Sequence, residues 1–583
     1  MTLFVFLAWV RARAAVVTLG SLAAALLGLL APAEAAAQDT PAGLRGEAFE
    51  AAQWAVRSEA AEAMSKVAAR FARGGAAVSA LAALREQQLT RRQTLERAAT
   101  QLARGSGAEN QAAQAANLRA YQDVERDLAR IDAKIEDQFP AYAELTNPSA
   151  LSIEQTQALL QPDEVLVLFL VNPEATYIWA VSRDKVAWTR AEDLGEKPLT
   201  EAVIRLRRGL TAAAGPNGLP LPAPFDVALA YHLYDRLLRP LEPVLKSKTT
   251  LIAVPSGPLL SLPIGVLLTG PPTVDGSATN AAPTNAAWLA DSYAVAVLPA
   301  VSSLRTLRCY LLAPGDRPPS GCPQNDGGPT PRTAGRSLVP LVGFGAPQLF
   351  GLAREDRGGD TPAASLFVEG LADRNQLLEL GDLPAARVEL TRLGAEFPGS
   401  IVRLGADATE TAVKVTYKNA LMAARYVIFS THGILGGAEA GAGGARSYAE
   451  PGLVLTPPQQ PSDLDDGYLS ASEIAELRLS ADFVVLSACN TAGSDGRPNA
   501  EGLSGLARAF LFAGSRSVLV SNWEVSDIAT TDLILRTFKG LRDDSSIGRA
   551  EALRRAMQEL RSEPGFAHPY FWAPFVLVGD PRS

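Results

Sequence analysis

Tyr426-Val-Ile-Phe-Ser-Thr-His432-Gly433 and Phe483-Val-Val-Leu-Ser-Ala-Cys489-Asn490 are two apolar, β-branched runs, each ending in small residues and one reactive side chain. Neither alternates apolar with polar residues, and both lie between helical patterns. They therefore read as strands buried on both faces of a parallel sheet. Ligands gather at the carboxyl edge of such a sheet. An imidazole at 432 and a thiol at 489, delivered to one edge, are a candidate base and nucleophile.

Around these strands, residues 338–583 alternate strand and helix. Strands are expected near Leu341–Phe344, Ser517–Ser521 and Phe575–Val578, and helices near Ala385–Glu396, Glu410–Ala423, Ala471–Leu477, Leu503–Ala513, Ile528–Lys539 and Arg549–Leu560. That order predicts an α/β/α sandwich with a mostly parallel sheet. Other chemistries lack their motifs. Gly343-Phe-Gly345 has no third glycine for a dinucleotide fingerprint, Gly436–Gly444 is not followed by Lys-Ser or Lys-Thr, and no Gly-x-Ser-x-Gly elbow occurs. There is no CxxC or HxxxH, so no metal or other cofactor is expected. His232, beside Tyr231 and Tyr234, reads as a packing or surface residue, and His568, before Pro569, as a brace for the last strand.

His-Gly at one strand end and Ala-Cys at another about 50 residues later is the arrangement of caspases. The wider text resembles the CHAT family, caspase-like domains usually found behind tetratricopeptide (TPR) repeats. The resemblance rests on Ser430-Thr-His-Gly, Val484-Val-Leu-Ser-Ala-Cys-Asn-Thr-Ala, Glu501-Gly-Leu-Ser-Gly-Leu-Ala-Arg-Ala-Phe, Ser521-Asn-Trp-Glu-Val-Ser-Asp527 and His568-Pro-Tyr-Phe-Trp-Ala-Pro-Phe-Val-Leu-Val-Gly-Asp580. It covers roughly residues 145 to 583. It implies a cysteine endopeptidase acting on a protein or peptide substrate. His432 and Cys489 would be its dyad, with the backbone N–H groups of Gly433 and Cys489 as the oxyanion hole. A non-cleaving interaction scaffold and a small-molecule thiol amidase are the rival readings.

Three further residues are candidates for substrate contact. Trp523 is either groove or core. Glu524 and Asp527 would make an acidic specificity pocket, which a basic residue before the scissile bond would suit; alternatively Asp527 caps the helix that follows it.

Residues 145–312 carry expected strands at Val165–Val171, Ala175–Val181, Lys185–Thr189 and Leu251–Val254, with a helix at Tyr231–Leu245. The resemblance implies that this half is a degenerate caspase-like subdomain, followed by a Pro/Gly-rich linker at 313–337. Upstream, residues 43–140 show helical spacing broken at Gly105-Ser-Gly107, an antiparallel helical hairpin that stands where the family has TPR repeats. An activating partner protein would engage that hairpin.

The first 37 residues resemble an export signal. Arg11 and Arg13 precede an apolar run to Leu30, and Ala35-Ala-Ala37 supplies small residues for cleavage before Gln38. The expectation is a periplasmic or secreted protein, with an uncleaved inner-membrane anchor as the alternative. No later stretch is apolar enough to span a bilayer. Export bears on the cysteines, because an oxidising compartment lets Cys309 and Cys322 pair and leaves Cys489 as the odd thiol. The chain has 583 residues, 47% of them hydrophobic, enough for two or three cores. Its formal net charge of −8 gives no electrostatic footprint for nucleic acid.

Overall fold

The computed structural model describes residues 41–56, 108–138, 149–214, 220–271, 286–310, 318–322, 339–351, 367–368, 371–434, 437–440, 446–449, 451–488, 505–523 and 525–582, with helical positions between 84 and 102. The expected export signal and most of the 313–337 linker lie outside these residues. The chain divides after Ala51 into two compact units, and the sheet and its covering helices belong to the second.

The N-terminal helices are α1 (Pro41–Ala55) and α2 (Ala108–Gln138). Helical positions between 84 and 102 lie antiparallel to α2. Asn110 and Gln114 side chains donate to Leu102 O, Asn117 to Leu95 O, and Arg92 meets Glu125 at 3.4 Å. Then come α3 (Ile153–Leu159), β1 (Glu164–Val171), β2 (Thr176–Ser182), β3 (Val186–Ala191), α4 (Glu196–Arg208), α5 (Val227–Leu237), β4 (Thr250–Val254) and β5 (Ala294–Val297). The helix expected over Tyr231–Leu245 is broken after Leu237. Pro240 and Pro243 lack the N–H an α-helix needs, and short helical turns at Arg239–Leu241 and Glu242–Leu245 replace it.

The second half runs β6 (Val339–Pro347), α6 (Pro384–Glu396), β7 (Ile401–Gly405), α7 (Lys418–Ala423), β8 (Ala424–Ser430), β9 (Gly433–Ile434), β10 (Gly452–Val454), β11 (Tyr468–Ser470), α8 (Ala471–Glu476), β12 (Phe483–Ser487), α9 (Gly505–Ala513), β13 (Ser517–Ser521), α10 (Asp527–Asp543), α11 (Arg549–Arg561), α12 (Pro569–Trp572) and β14 (Phe575–Gly579). One eleven-stranded sheet holds both halves, in the order β7-β6-β8-β12-β13-β14-β5-β4-β1-β2-β3. The halves meet where β14 pairs in parallel with β5. The pairs β13/β14, β1/β2 and β2/β3 are antiparallel and the other pairs parallel.

Alternation along the strands explains the layers. Tyr426 and Ile428 of β8, with Phe483 and Val485 of β12, join a core that includes Leu390 and Leu393 of α6 and Leu533 and Phe538 of α10. On the opposite face Phe429 packs against Phe510 of α9 and Phe344 against Tyr417. Helices on both faces account for the unbroken apolar runs.

A buried ion cluster ties the start of β1 to the end of β14. Arg308 reaches Glu164 through two bonds of 2.6 and 2.7 Å and Asp580 at 3.3 Å. Arg516 lies 3.5 Å from Asp580, and Arg582 donates to Glu164 at 2.8 Å. Next to Arg308, Cys309 is disulfide-bonded to Cys322 with Cα atoms 5.4 Å apart.

Candidate active site

Ser430 ends β8 and Ser487 ends β12, and the parallel register sets them opposite each other. On the other side of β8, Ser430 pairs with Gly345 of β6, where a Cβ would stand 2.2 Å from Ser430 O. The glycine that fails as a nucleotide motif is thus what allows the strands to close at the site.

Beyond Ser430 the chain leaves the main sheet. Thr431 N–H donates to Ser487 O at 3.3 Å, its hydroxyl donates to Val454 O, and His432 O accepts from Val454 N–H at 3.0 Å. Gly433 opens β9, which pairs with β10, and β10 with β11, in a three-stranded sheet beside the site. His432 is buried, 1% exposed, with Nε2 2.7 Å from Gly381 O. A carbonyl oxygen only accepts, so Nε2 carries a proton and, in the neutral ring, Nδ1 carries the lone pair.

Gly381 lies just ahead of α6. That helix begins at Pro384 after Leu383, whose side chain makes no cap bond. The cap comes instead from α10, where Asp527 Oδ2 accepts from Ala385 N–H at 3.0 Å and the Thr531 hydroxyl donates to Ala385 O at 3.2 Å. In the second turn of α6, Glu389 is fully buried and accepts from the Ser487 hydroxyl at 2.9 Å. Ala386, Glu389, Leu390 and Leu393 fall at i, i+3, i+4 and i+7, so this carboxylate occupies the stripe that faces the sheet. A glutamate in the apolar stripe of an amphipathic helix was the available sequence signal for it.

The structure brings His432, Gly433 and the end of β12 together and assigns other tasks to two predicted residues. Trp523 is 4% exposed and belongs to the main core, its indole N–H donating to Tyr570 O at 3.0 Å. These contacts fit the core reading of Trp523. Asp527 is 3% exposed and its carboxylate is spent on α6. It is neither an open specificity pocket nor the cap of its own helix, a role that Ser526 takes by accepting from Ala529 N–H. Cys489 and Glu524 lie outside the described residues. His568 Nδ1 accepts from Tyr570 N–H at 3.1 Å, and burial, against a weaker pull from Ala223, lowers its pKa to about 4. His232 is half-exposed, 4.0 Å from Asp193.

Two other features bear on function. A cavity of about 570 Å³ opens at Asp163, Thr250, Asp291, Arg554 and Arg582, away from His432. Its charged groups are already paired, Arg582 with Glu164 and Asp163, Arg554 with Glu551, and Asp291 with Arg561. Among the described residues no group of three or more potential metal ligands occurs, and no helix is long and apolar enough to cross a membrane.

The model of the CHAT domain matches residues 227–580, more than half of the chain. Tetratricopeptide repeat protein 28 of Mus musculus is 38% identical over 117 residues, which are 19% of this chain and 4% of that protein. The Homo sapiens protein of the same name is 33% identical over 122 residues, 20% of this chain and 5% of that one. The match thus spans about one twentieth of these curated relatives. Among solved structures, the Arg-specific cysteine proteinase gingipain R aligns at 10% identity and a TM-score of 0.32, over 66% of this chain and 75% of that one. The Saccharomyces cerevisiae separase–securin complex aligns at 12% identity and a TM-score of 0.40, over 81% and 34%.

Proposed function

The chain belongs to the CHAT domain family, and from that membership we propose that it is a cysteine endopeptidase that cleaves a protein substrate with His432 and Cys489. The observation that carries this reading is the pairing of Ser430 with Ser487, which stand two residues before His432 and Cys489 respectively. Ala488, the last described residue of that strand end, has its carbonyl held by the Ser521 hydroxyl.

In the proposed reaction Nδ1 of His432 takes the thiol proton, and the thiolate of Cys489 attacks the scissile carbonyl carbon, pushing the C=O electron pair onto oxygen. The backbone N–H groups of Gly433 and Cys489 hold that oxyanion. The imidazolium returns its proton to the departing amine as the C–N bond breaks, and a water deprotonated by His432 then hydrolyses the thioester. Gly381 supports this cycle by fixing the tautomer.

The Arg11/Arg13, apolar run and Ala35–Ala37 pattern supports an exported protein, periplasmic or secreted, and the Cys309–Cys322 bridge is consistent with an oxidising compartment. The N-terminal hairpin read over residues 43–140 is the surface through which a partner protein would activate the domain. Labelling with peptide acyloxymethyl ketones of varied first residue, in buffer and in lysate of the exporting cell, tests the reading. Mass spectrometry should find the adduct on Cys489, and a reagent that ignores Cys489 in both settings overturns it.

A further inference from the structure

One stretch of chain touches both strand ends of the site. Gly381 O accepts from the imidazole of His432 at 2.7 Å, and eight residues later Glu389 accepts from the hydroxyl of Ser487 at 2.9 Å. Ser487 is itself a junction. Its side chain is held by Glu389, and its carbonyl accepts the N–H of Thr431, the residue before His432. The route from Glu389 through Ser487 and Thr431 to His432 is therefore a run of hydrogen bonds and one peptide link, closed into a ring by Gly381. All its members are buried. Glu389, Ser430, Thr431 and Ser487 are each 0% exposed.

Burying a carboxylate is costly unless it is well hydrogen-bonded, and packing of α6 on the sheet needs only an apolar side chain at that point. The neighbouring stripe positions, Ala386, Leu390 and Leu393, supply that packing. We propose that Glu389 is a positioning residue that fixes the end of β12 against His432, so that helix α6, with Gly381 ahead of it, sets the geometry of both halves of the dyad. The inference rests on the dyad reading above. Asp527 extends the arrangement. By accepting from Ala385 N–H it locks the first turn of α6 to α10.

The experiment uses the full chain and two readouts. Alkylation of Cys489 by a small chloroacetamide is timed by mass spectrometry between about pH 5 and 9. The three histidines are labelled with ¹³C at Cε1 for NMR, their signals assigned with His232→Gln, His432→Gln and His568→Gln. Glu389→Ala is expected to slow alkylation at neutral pH at least about tenfold and to move its midpoint toward that of a free thiol, about 8.5. It should also displace the His432 signal while those of His232 and His568 stay. Glu389→Gln keeps an oxygen acceptor for the Ser487 hydroxyl and should restore both readouts. Ser487→Ala removes the same bond from the other side with a smaller change in volume, and should repeat the effect should Glu389→Ala fail to fold.

Wild-type alkylation and an unmoved His432 signal in Glu389→Ala overturn the proposal, as does a Gln variant no better than Ala. Failure of the dyad reading looks different. There His432→Ala alkylates like wild type, and the His432 signal alone then decides whether Glu389 positions the imidazole.

Discussion

Ser430 and Ser487 face each other at the ends of adjacent parallel strands, and the candidate base and nucleophile each follow two residues later. Because the pairing is parallel and in register, both strand ends project beyond the same edge of the sheet. Cys489→Ala is expected to abolish turnover with little loss of fold, and His432→Ala to leave a slow thiol, each costing at least about a thousandfold in kcat/KM. The assay is cleavage in lysate of the exporting cell, and identical product patterns from wild type and Cys489→Ala would favour a scaffold.

Gly345→Ala tests the closeness of β6 and β8. Its Cβ would stand 2.2 Å from Ser430 O and 2.7 Å from Leu390 Cδ1, and the first of these is backbone that cannot turn aside. Overpacking of this kind costs about 1–3 kcal/mol. The urea midpoint should drop accordingly, and peptidase activity should fall further than stability because Ser430 leads directly to His432. A variant as stable as wild type would contradict the contact.

Asp527→Ala removes the carboxylate that caps α6 and should cost about 1 kcal/mol, whereas Asp527→Asn keeps an acceptor and should lie close to wild type. Neither should change the preferred residue before the scissile bond, since the side chain is buried. A shift in preference measured with a peptide library, at unchanged stability, would return Asp527 to the substrate groove.

The ion cluster around Arg308 gives an acid limb to stability. Burial pushes the Asp580 carboxyl up, but the guanidiniums of Arg308, Arg516 and Arg549 outweigh it and hold it at about 2, below the ordinary 3.8. A carboxyl depressed on folding stabilises fully above its unfolded pKa and loses that contribution as pH falls through the folded one. The loss should therefore run between about pH 4 and 2. Arg308→Met removes the guanidinium shared by Glu164 and Asp580, which keep Arg582 and Arg516 as partners, and is expected to cost at most about 3–5 kcal/mol in a denaturant titration at neutral pH.

His568 acts higher on the pH scale. Burial holds it at about 4, below the ordinary 6.5, so between those values the unfolded chain binds a proton that the folded chain refuses. Its contribution is complete above about pH 6.5 and declines toward pH 4, by at most about 3 kcal/mol. His568→Asn should flatten the dependence of Tm on pH across that window. An unchanged slope would mean that another group carries it.

The strands at 426–430, 483–487, 517–521 and 575–579 were legible because burial on both faces leaves an unbroken apolar run, and α6 and α11 because their apolar residues keep helical spacing. Shorter strands gave no such signal. Ala294–Val297 and Ile401–Gly405 are four and five residues long, and the second includes Arg403, whose guanidinium lies over the Tyr417 ring. In the sequence Gly343 and Gly345 read only as an incomplete nucleotide motif, since what a glycine makes room for lies on another strand.

By itself the sequence determined the long central strands of the second half and the helices between them, the family, and the two strand ends that run into His432 and Cys489 in the chain, because these depend on local pattern. Tertiary structure alone decided that both halves share one sheet, that Trp523 is core, that Asp527 serves α6, and that Gly381 and Glu389 attend the site. Each of these is a hydrogen bond or packing contact between residues tens to hundreds of positions apart. A donor or acceptor on a buried turn shows its purpose only when the chain has brought its partner beside it.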